Sequence, residues 1–391
     1  MSTTDAPPVV KPQVLEFFAG IGLARIGLEQ AGFQVAWSND YEPDKQALYQ
    51  GHFRDGDEHT FVLGDIGAVA GSDLPQDASL AWASSPCTDL SLAGGRAGLA
   101  GRESSAFWQF ARLLDELGAR RPEVVVLENV VGLATSHGGA DLTAAVRAFN
   151  GLGYSVDVLF LDARRFVPQS RPRLFLVGAQ HPPADGAVPC PELRPDWLQR
   201  PFEDPTLVTH QAGLPPLPPL RSTGLTALLE DVPRSDARWW DAERTQAFLG
   251  SLSPVQAARV RDLRGAPGVQ RRTAYRRTRH GVAVWEVRAD DIAGCLRTAR
   301  GGSSKQAVVE IAGGGVRVRW MTPREYARLM GAGDYDLSGA RTNQALYGFG
   351  DAVATPVVAW LATHYLRPLV SRSMRTVAAD RSSPRLAPVR S

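Results

Sequence analysis

The stretch Val14-Leu-Glu-Phe-Phe-Ala-Gly-Ile-Gly22 decides the fold of this chain. Residues 14–17 form a short apolar run of strand type, and residues 22–31 follow with the spacing of apolar side chains that is typical of a helix. Glycines between a strand and a helix let a ligand approach the backbone at the helix N-terminus. The stretch therefore predicts the first strand, a cofactor loop and the first helix of an open α/β sheet.

The same alternation of strand and helix continues to residue 180. Further strands are expected at 33–37, 60–63, 80–83, 123–127, 154–161 and 173–178, and further helices at 43–53, 104–120 and 141–152. Such alternation predicts a mostly parallel sheet that is covered on both faces. No helix separates the last two strands, so we expect them to pair antiparallel.

Acidic residues at the ends of the second and third strands support a cofactor that contains adenosine. Asp40 and Asp65 stand where a carboxylate can bind ribose hydroxyls, and Tyr41 can stack on an adenine. Arg25 occupies the third glycine position of a dinucleotide fingerprint, which favours S-adenosylmethionine over NAD. A tight glycine turn without a ligand is the alternative.

A thiol and a carboxyl group follow the next two strands. Cys87 comes directly after Pro86 at the end of the fourth predicted strand, and Glu128 ends the fifth. The carboxyl ends of parallel strands meet at one edge of the sheet, where open α/β folds place their ligands. A nucleophile and an acid beside a cofactor loop indicate covalent catalysis. A buried structural cysteine and a salt-bridged acid are the alternatives.

Composition indicates a soluble globular protein. The 391 residues are 44% hydrophobic and 21% charged, and we find no apolar run of the roughly 20 residues that would span a membrane. The first 13 residues lack the apolar segment of a secretory signal. The cysteines, at 87, 190 and 295, are too few and scattered for a disulfide framework or a zinc cluster, so no metal site and a cytoplasmic location are predicted.

The chain divides where its composition changes. We expect an N-terminal disordered tail at 1–12, a catalytic and cofactor-binding domain at 13–180, a proline-rich and then basic domain at 181–320, a C-terminal part at 321–369 whose last helix returns to the catalytic domain, and a disordered tail at 370–391. Thr322, Pro323 and Glu325 form a capping box that predicts a helix start.

The basic domain concentrates arginine. Residues 259–300 contain eleven arginines and four acids, although the net charge of the whole chain is only +2. Arginine suits phosphates and guanine edges, which points to nucleic acid. A solvated basic face is the alternative.

Six motifs in order resemble those of the cytosine-5 DNA methyltransferases. They are Phe18-Ala-Gly-Ile-Gly22, Ser85-Pro-Cys87, Glu128-Asn-Val130, Gln169-Ser-Arg-Pro-Arg173, Met321-Thr-Pro-Arg-Glu325 with Ala327-Arg-Leu-Met-Gly331, and Gly348-Phe-Gly-Asp-Ala-Val353. The resemblance covers most of residues 14–369. It implies a class I S-adenosylmethionine-dependent methyltransferase fold: α/β, Rossmann-like, mostly parallel with a terminal antiparallel strand, plus a smaller, irregular, basic target-recognition domain.

The resemblance also implies the task of each site residue. The catalytic residues would be Cys87, Glu128, Arg171 and Arg173. The residues contacting S-adenosylmethionine would be Phe18, Gly20, Gly22, Asp40, Tyr41, Asp65, Ile66, Pro86 and Asp351. Contacts to DNA are expected from Ser91, Arg96, Arg102, Arg271, Arg272, Arg276, Arg277, Arg279 and Arg297, with residues 91–105 as a lid over a flipped cytosine.

Three positions depart from the family pattern. Glu16 stands in place of the usual aspartate, Thr88 in place of glutamine, and Asp351 in place of an asparagine that lines the cofactor pocket. In addition, Cys295 occupies the place of a threonine that contacts the DNA backbone. These departures concern contacts to cofactor and DNA rather than the reaction centre.

The expected activity is sequence-specific methylation of carbon 5 of cytosine in double-stranded DNA by a monomer. A cognate restriction or phage-defence system is the expected partner. A tRNA cytosine-5 methyltransferase, a DNA-binding relative without turnover and an NAD-linked oxidoreductase are the alternatives.

Overall fold

In the computed structural model, residues 11–86, 105–279, 282–298, 305–313 and 315–372 are described. The large sheet within these residues has the strand order β3-β2-β1-β4-β5-β7-β6. Its strands are β1 (Gln13–Phe17), β2 (Gln34–Asp40), β3 (Thr60–Leu63), β4 (Ala78–Ser84), β5 (Val124–Val130), β6 (Ser155–Asp162) and β7 (Pro172–Ala179). Neighbouring strands from β3 to β5 are parallel, whereas β7 pairs antiparallel with β6, as predicted, and also with β5, which was not predicted.

Helices cover both faces of this sheet. The helices of the first part are α1 (Leu23–Gln30), α2 (Pro43–Phe53), α3 (Ser105–Glu116), α4 (Gly132–Thr135) and α5 (Ala140–Gly151). Val14 and Leu80 pack on the side of α1, while Leu15 and Ala81 pack on the side of α3 and α5. Both faces of the central strands are therefore buried, which explains why these strands are apolar throughout rather than alternating.

The proline-rich crossing after β7 packs against the large sheet. Arg194 forms a buried ion pair at 2.5 Å with Asp157 of β6, and Asp157 also accepts a hydrogen bond from the Tyr365 hydroxyl at 3.0 Å. Leu193 and Leu217 belong to the same hydrophobic core as β1. The crossing contains the short helices α6 (Arg200–Glu203) and α7 (Leu225–Leu228).

The basic unit is more regular than its sequence indicated. It contains α8 (Ala242–Gly250), α9 (Pro254–Gly265) and, in the described residues, a four-stranded antiparallel sheet of order β11-β10-β8-β9. The strands are β8 (Gln270–Arg279), β9 (Val282–Val287), β10 (Ala307–Ala312) and β11 (Gly315–Trp320). Phe248, Val260, Trp285 and Val309 help to form its separate core.

The C-terminal part returns to the large sheet through α10 (Pro323–Leu329), α11 (Thr342–Asp351) and α12 (Thr355–Leu361). The capping box of Thr322 and Glu325 is present, as predicted. The helical run 342–372 is long and apolar enough to cross a membrane by length and composition, but 72% of its most apolar window is buried in the protein, as in a core helix. Helix continues to Arg372 and Val370 is buried, so the ordered chain extends beyond the expected limit at 369.

Candidate active site

The cofactor loop, residues 18–22, turns sharply between β1 and α1. Phe18, Gly20 and Gly22 all have positive φ angles, of 56°, 58° and 79°. A methyl group on Gly22 would overlap the rings of Tyr49 and Phe53, whereas, apart from its neighbours in sequence, no described residue has an atom within 4 Å of the corresponding position on Gly20. Gly22 therefore closes the loop against α2, and Gly20 borders open space that a ligand can enter.

Asp40 braces the cofactor loop from the end of β2. Its two carboxylate oxygens accept hydrogen bonds from the backbone amides of Gly20 and Glu42, each at 2.9 Å. Burial raises the pKa of Asp40, and the Lys45 ammonium and these amides partly oppose the rise. Tyr41 beside it is half exposed.

Asp65 and Ile66 follow β3 at the same edge of the sheet. The exposed Asp65 carboxylate accepts a hydrogen bond from the amide of Gly67 at 2.7 Å, and the Ile66 side chain is buried. The predicted cofactor residues of the first three strands thus lie together, as the parallel topology requires.

Tyr335, which the sequence did not single out, supports the loop from the C-terminal part. Its hydroxyl lies 2.8 Å from the carbonyl oxygen of Ile21 and 2.9 Å from that of Leu48. One side chain therefore holds both the cofactor loop and α2. No local sequence pattern predicts these contacts, because Ile21 and Leu48 are 314 and 287 residues away from Tyr335 in sequence.

Glu128 and Arg173 form an ion pair at the edge of the large sheet where β5 ends, which we call the candidate catalytic edge. The Arg173 Nε lies 2.9 Å from the Glu128 Oε1, and both side chains are largely buried. They come from antiparallel neighbours β5 and β7, where Val130 pairs with Arg173, so the two side chains are diagonal on one face. The structure thus brings together two of the residues that were predicted to be catalytic.

The half-buried Pro86 follows β4 beside this pair. The side-chain amide of Asn129 lies 3.4 Å from the carbonyl oxygen of Ser85, which ties the end of β5 to the residues that precede Cys87. Cys87 itself lies outside the described residues, as do Thr88, Ser91, Arg96, Arg102 and all but the last residue of the expected lid.

Arg171 is a clamp between distant segments. Its guanidinium is buried and donates hydrogen bonds to the carbonyl oxygens of Leu296 at 2.6 Å, Gly350 at 3.0 Å and Ala352 at 2.6 Å. These bonds direct its nitrogens toward backbone carbonyls, so Arg171 acts here as a positioning residue. A direct part in catalysis stays a prediction.

Cys295 lies beside the buried guanidinium group of Arg171. Its Sγ is 3.4 Å from Nη1 of Arg171. Burial alone would raise the pKa of the Cys295 thiol, but the guanidinium groups of Arg171, Arg173 and Arg297 together lower it. The sequence predicts no catalytic or binding role for Cys295. It shows only that Cys295 occupies the position of the family's threonine.

Asp351, at the end of α11, pairs with Lys45 of α2. The Lys45 Nζ lies 3.2 Å from the Asp351 carboxylate and 3.2 Å from that of Glu42. The departure from asparagine therefore has a cationic partner, which sequence reasoning missed.

The predicted DNA-binding arginines of β8 lie on two faces, because side chains alternate along a strand. Arg271 and Arg277 share the face of Thr273, whose hydroxyl oxygen accepts from the Gly294 amide at 3.4 Å. They pair with Glu310 at 3.1 Å and Glu286 at 3.6 Å.

Arg272 and Arg276 lie on the opposite face, toward α8 and α9. Arg276 lines a pocket there with Trp240 and Trp285. Arg297 is exposed next to Cys295, and the side chain of Arg279 is outside the described part. One flat surface of the small sheet therefore cannot hold all the predicted arginines.

Comparison with known proteins identifies relatives of this chain. The profile described as C-5 cytosine-specific DNA methylase matches residues 13–367. The type II methyltransferase M.Bsp6I of Bacillus sp. (strain RFL6) is 32% identical over 170 residues, which are 42% of this chain and 51% of that protein. M.HhaI of Haemophilus parahaemolyticus is 30% identical over 164 residues, 42% of this chain and 47% of the relative. The chain spans about half the length of the curated relatives it matches.

Solved structures share the fold over nearly the whole chain. The Dnmt2 methyltransferase of S. pombe superposes with a TM-score of 0.58 at 16% identity, covering 92% of this chain and 99% of that one. The Entamoeba histolytica methyltransferase EhMeth gives a TM-score of 0.54 at 12% identity, covering 93% and 99%. At these identities the likeness concerns the fold alone.

Proposed function

The chain belongs to the C-5 cytosine-specific DNA methylase family, and we propose on this basis that it methylates carbon 5 of a cytosine in double-stranded DNA. The observation that carries the proposal is the Glu128–Arg173 pair, 2.9 Å apart at the sheet edge where β4 ends beside β5 and leads to Pro86. An acid, an arginine and a nucleophile at one edge are what this reaction requires.

The residues around the cofactor loop fit S-adenosylmethionine, the methyl donor of this family. Open space next to Gly20 admits a ligand to the backbone, and Asp40 and Asp65 present carboxylates at successive strand ends. These residues would hold the adenosine part, with the Asp40 oxygens accepting from ribose hydroxyls. When bound, the cofactor supplies an electrophilic methyl group.

Cys87 would make the cytosine reactive. Carbon 5 is a weak nucleophile, but addition of the Cys87 thiolate to carbon 6 forms a C–S bond and moves electron density to carbon 5 and N3. Glu128, protonated once the bound base has displaced its ion pair with Arg173, would donate a proton to N3, while Arg173 would hold the edge of the base that carries the O2 oxygen. After carbon 5 has been methylated, its proton passes to water, the C–S bond breaks, and Glu128 regains its proton.

The target base must leave the duplex, because carbon 6 is inaccessible in the stack. Flipping the base costs a few kcal/mol. Contacts from the protein to the DNA backbone and to the unpaired base left on the partner strand must offset this cost. Ser91, Arg96, Arg102 and Arg297 are the proposed backbone contacts near the pocket.

A covalent trap tests the mechanism. Duplex DNA containing 5-fluorocytosine should form an adduct with the wild-type protein in the presence of S-adenosylmethionine, because fluorine cannot leave as a proton does. Cys87→Ser, the matched control, should form none. If the wild type forms no adduct on DNA from a wide pool of sequences, the covalent mechanism is wrong.

Transfer RNA is the second substrate to test, since a tRNA cytosine-5 methyltransferase has the same core. Radiolabelled methyl transfer to duplex DNA but not to tRNA supports the DNA assignment, and the reverse result overturns it.

We also propose a role in restriction–modification or phage defence. Relatives include type II methyltransferases and the orphan methyltransferase M.SPRI of Bacillus phage SPR. Bisulfite sequencing of DNA from an expressing host should show 5-methylcytosine within one short motif. Methylation without sequence preference would contradict the assigned target recognition.

A further inference from the structure

One ammonium group faces three carboxyl groups next to the cofactor loop. We call Asp40, Glu42, Lys45 and Asp351 the Lys45 cluster. The Lys45 Nζ lies 3.2 Å from the carboxylates of both Glu42 and Asp351. Burial would lower the pKa of Lys45, but Asp40, Asp351 and Glu42 together raise it, so the ammonium stays charged. With its carboxyl groups ionised, the cluster has a net charge of −2.

The Lys45 cluster is connected both to the cofactor loop and to the backbone that Arg171 binds. On one side, Asp40 binds the Gly20 amide of the loop. On the other side, the carbonyl oxygens of Gly350 and Ala352, which flank Asp351, accept hydrogen bonds from Arg171. The charge of Asp351 acts on both Lys45 and Arg171. A methyl donor held at the loop would therefore lie near these charges.

The methyl donor and its product differ by one charge. S-adenosylmethionine has a sulfonium, an ammonium and a carboxylate, and is a cation overall. S-adenosylhomocysteine has lost the sulfonium charge and is neutral overall. A wall with excess negative charge attracts the first more than the second, most strongly where water is partly excluded.

We propose that the Lys45 cluster selects S-adenosylmethionine over S-adenosylhomocysteine by charge, and that Asp351 provides the part of this selectivity that an asparagine would lack. The proposal rests on the function proposed above. It makes Asp351 and Lys45 specificity-determining residues with opposite effects. It also gives product release a physical cause, since loss of the sulfonium weakens attraction to the site.

Calorimetry without DNA tests the proposal. The ratio of the Kd for S-adenosylhomocysteine to the Kd for S-adenosylmethionine is measured for the wild type, D351N, K45M and the double variant. D351N should lower this ratio roughly three- to tenfold, and K45M should raise it by a similar factor. The double variant, which keeps the net charge, should return near the wild-type ratio.

Three controls separate charge from shape. Sinefungin, which has an amine in place of the sulfonium, should follow S-adenosylmethionine across the variants. K45R keeps the positive charge and should keep the ratio. Added salt should shrink the differences between variants.

Equal losses of affinity for both ligands in D351N would show a merely structural role and overturn the proposal, and so would a ratio that does not move. If the wild type binds neither ligand, the proposed function itself fails. A thermal melt of each variant identifies any that is unfolded. Should K45M be unfolded, D351N and K45R alone decide the result.

Discussion

Glu16 buries a carboxyl group directly below the cofactor loop. Its oxygens accept hydrogen bonds from the Ser38 hydroxyl at 2.9 Å, the Tyr49 hydroxyl at 3.2 Å and the Arg25 amide at 3.2 Å. Burial raises the pKa of Glu16 to about 7, although these partners and the Arg25 charge oppose the rise. Arg25 is largely neutralised by Asp55, which it meets at 2.5 Å. The residue that replaces the family's aspartate is therefore a group that titrates near neutral pH.

We predict that Glu16 makes stability depend on pH. Because its folded pKa lies above the ordinary 4.5, its contribution is complete below pH 4.5 and is lost as pH rises through about 7. The full loss amounts to about 3 kcal/mol at most. Urea unfolding of the wild type and E16Q between pH 5.5 and 8.5 measures it. E16Q should gain stability relative to the wild type as pH rises.

His59 makes stability depend on pH in the opposite sense to Glu16. For this reason the wild type is compared with E16Q rather than measured alone. Burial lowers its pKa to about 4, so its contribution is present above about pH 6.5 and is lost as pH falls. Both proteins contain His59, so their difference isolates Glu16. A constant difference across the range would contradict the assignment.

Glu128 is predicted to act on turnover and not on cofactor binding. E128Q keeps the size of the side chain but supplies no acidic proton, so the turnover number should fall about 10²- to 10⁴-fold. Single-turnover methylation measures the rate, and calorimetry measures the Kd for S-adenosylmethionine. A large change in that Kd would place Glu128 in the cofactor site instead.

At the scale of elements, two arginines of one motif have separate tasks. Arg171 is buried and bonded to three backbone carbonyls, whereas Arg173 pairs with Glu128 at the candidate catalytic edge. R171M should lower the free energy of unfolding by about 3–5 kcal/mol, because the carbonyls lose a charged donor in the interior. R173M should abolish methylation with a smaller loss of stability, because it removes one ion pair, at the end of β5, rather than three backbone hydrogen bonds between distant segments. Thermal melts and the fluorocytosine trap distinguish them, and equal melting temperatures would refute the division.

Elements with strong local signals were predicted closely. Helix α2 and strand β3 have the predicted limits, 43–53 and 60–63. The helix predicted at 104–120 ends at Glu116, and Gly118 then adopts a positive φ of 54°. Strand β8 was missed, since its sequence, QRRTAYRRTR, has almost no apolar alternation. Its place in a sheet depends on partners such as Val309 and Trp285.

The residues of the candidate site also divide into those that the sequence predicts and those that it does not. Glu128, Arg173 and Asp40 could be predicted because strand ends and motifs mark them. Tyr335 and the Lys45–Asp351 pair could not, because each joins residues about 300 positions apart and depends on how α2 packs against the C-terminal part.

At the scale of the whole molecule, the faces of the small sheet determine where DNA can bind. The face with Arg271 and Arg277 borders the segment around Gly294 and Cys295, next to Arg171. The other face packs against α8 and α9, and Arg276 lies on that face with an exposed side chain. We expect DNA to bind the face that carries Arg271 and Arg277.

Arg276 and Arg277 therefore form a matched pair for DNA binding. R277A should weaken binding and reduce the slope of log Kd against log salt by about 1, because one phosphate contact is lost. R276A should change neither quantity. Fluorescence anisotropy at several salt concentrations measures both, and the opposite ranking would place DNA on the helix-covered face.

The Arg171 clamp has a consequence for how the protein is made. Its bonds to Gly350 and Ala352 span 179 and 181 residues. A ribosome that has just added Arg171 must therefore add that many further residues before the two acceptors exist. Until then, a cation destined for the interior lacks its final partners. Completion of the candidate catalytic edge is thus a late event in synthesis. We therefore expect the proposed methyltransferase activity only in chains whose last motif, residues 348–353, has left the ribosome.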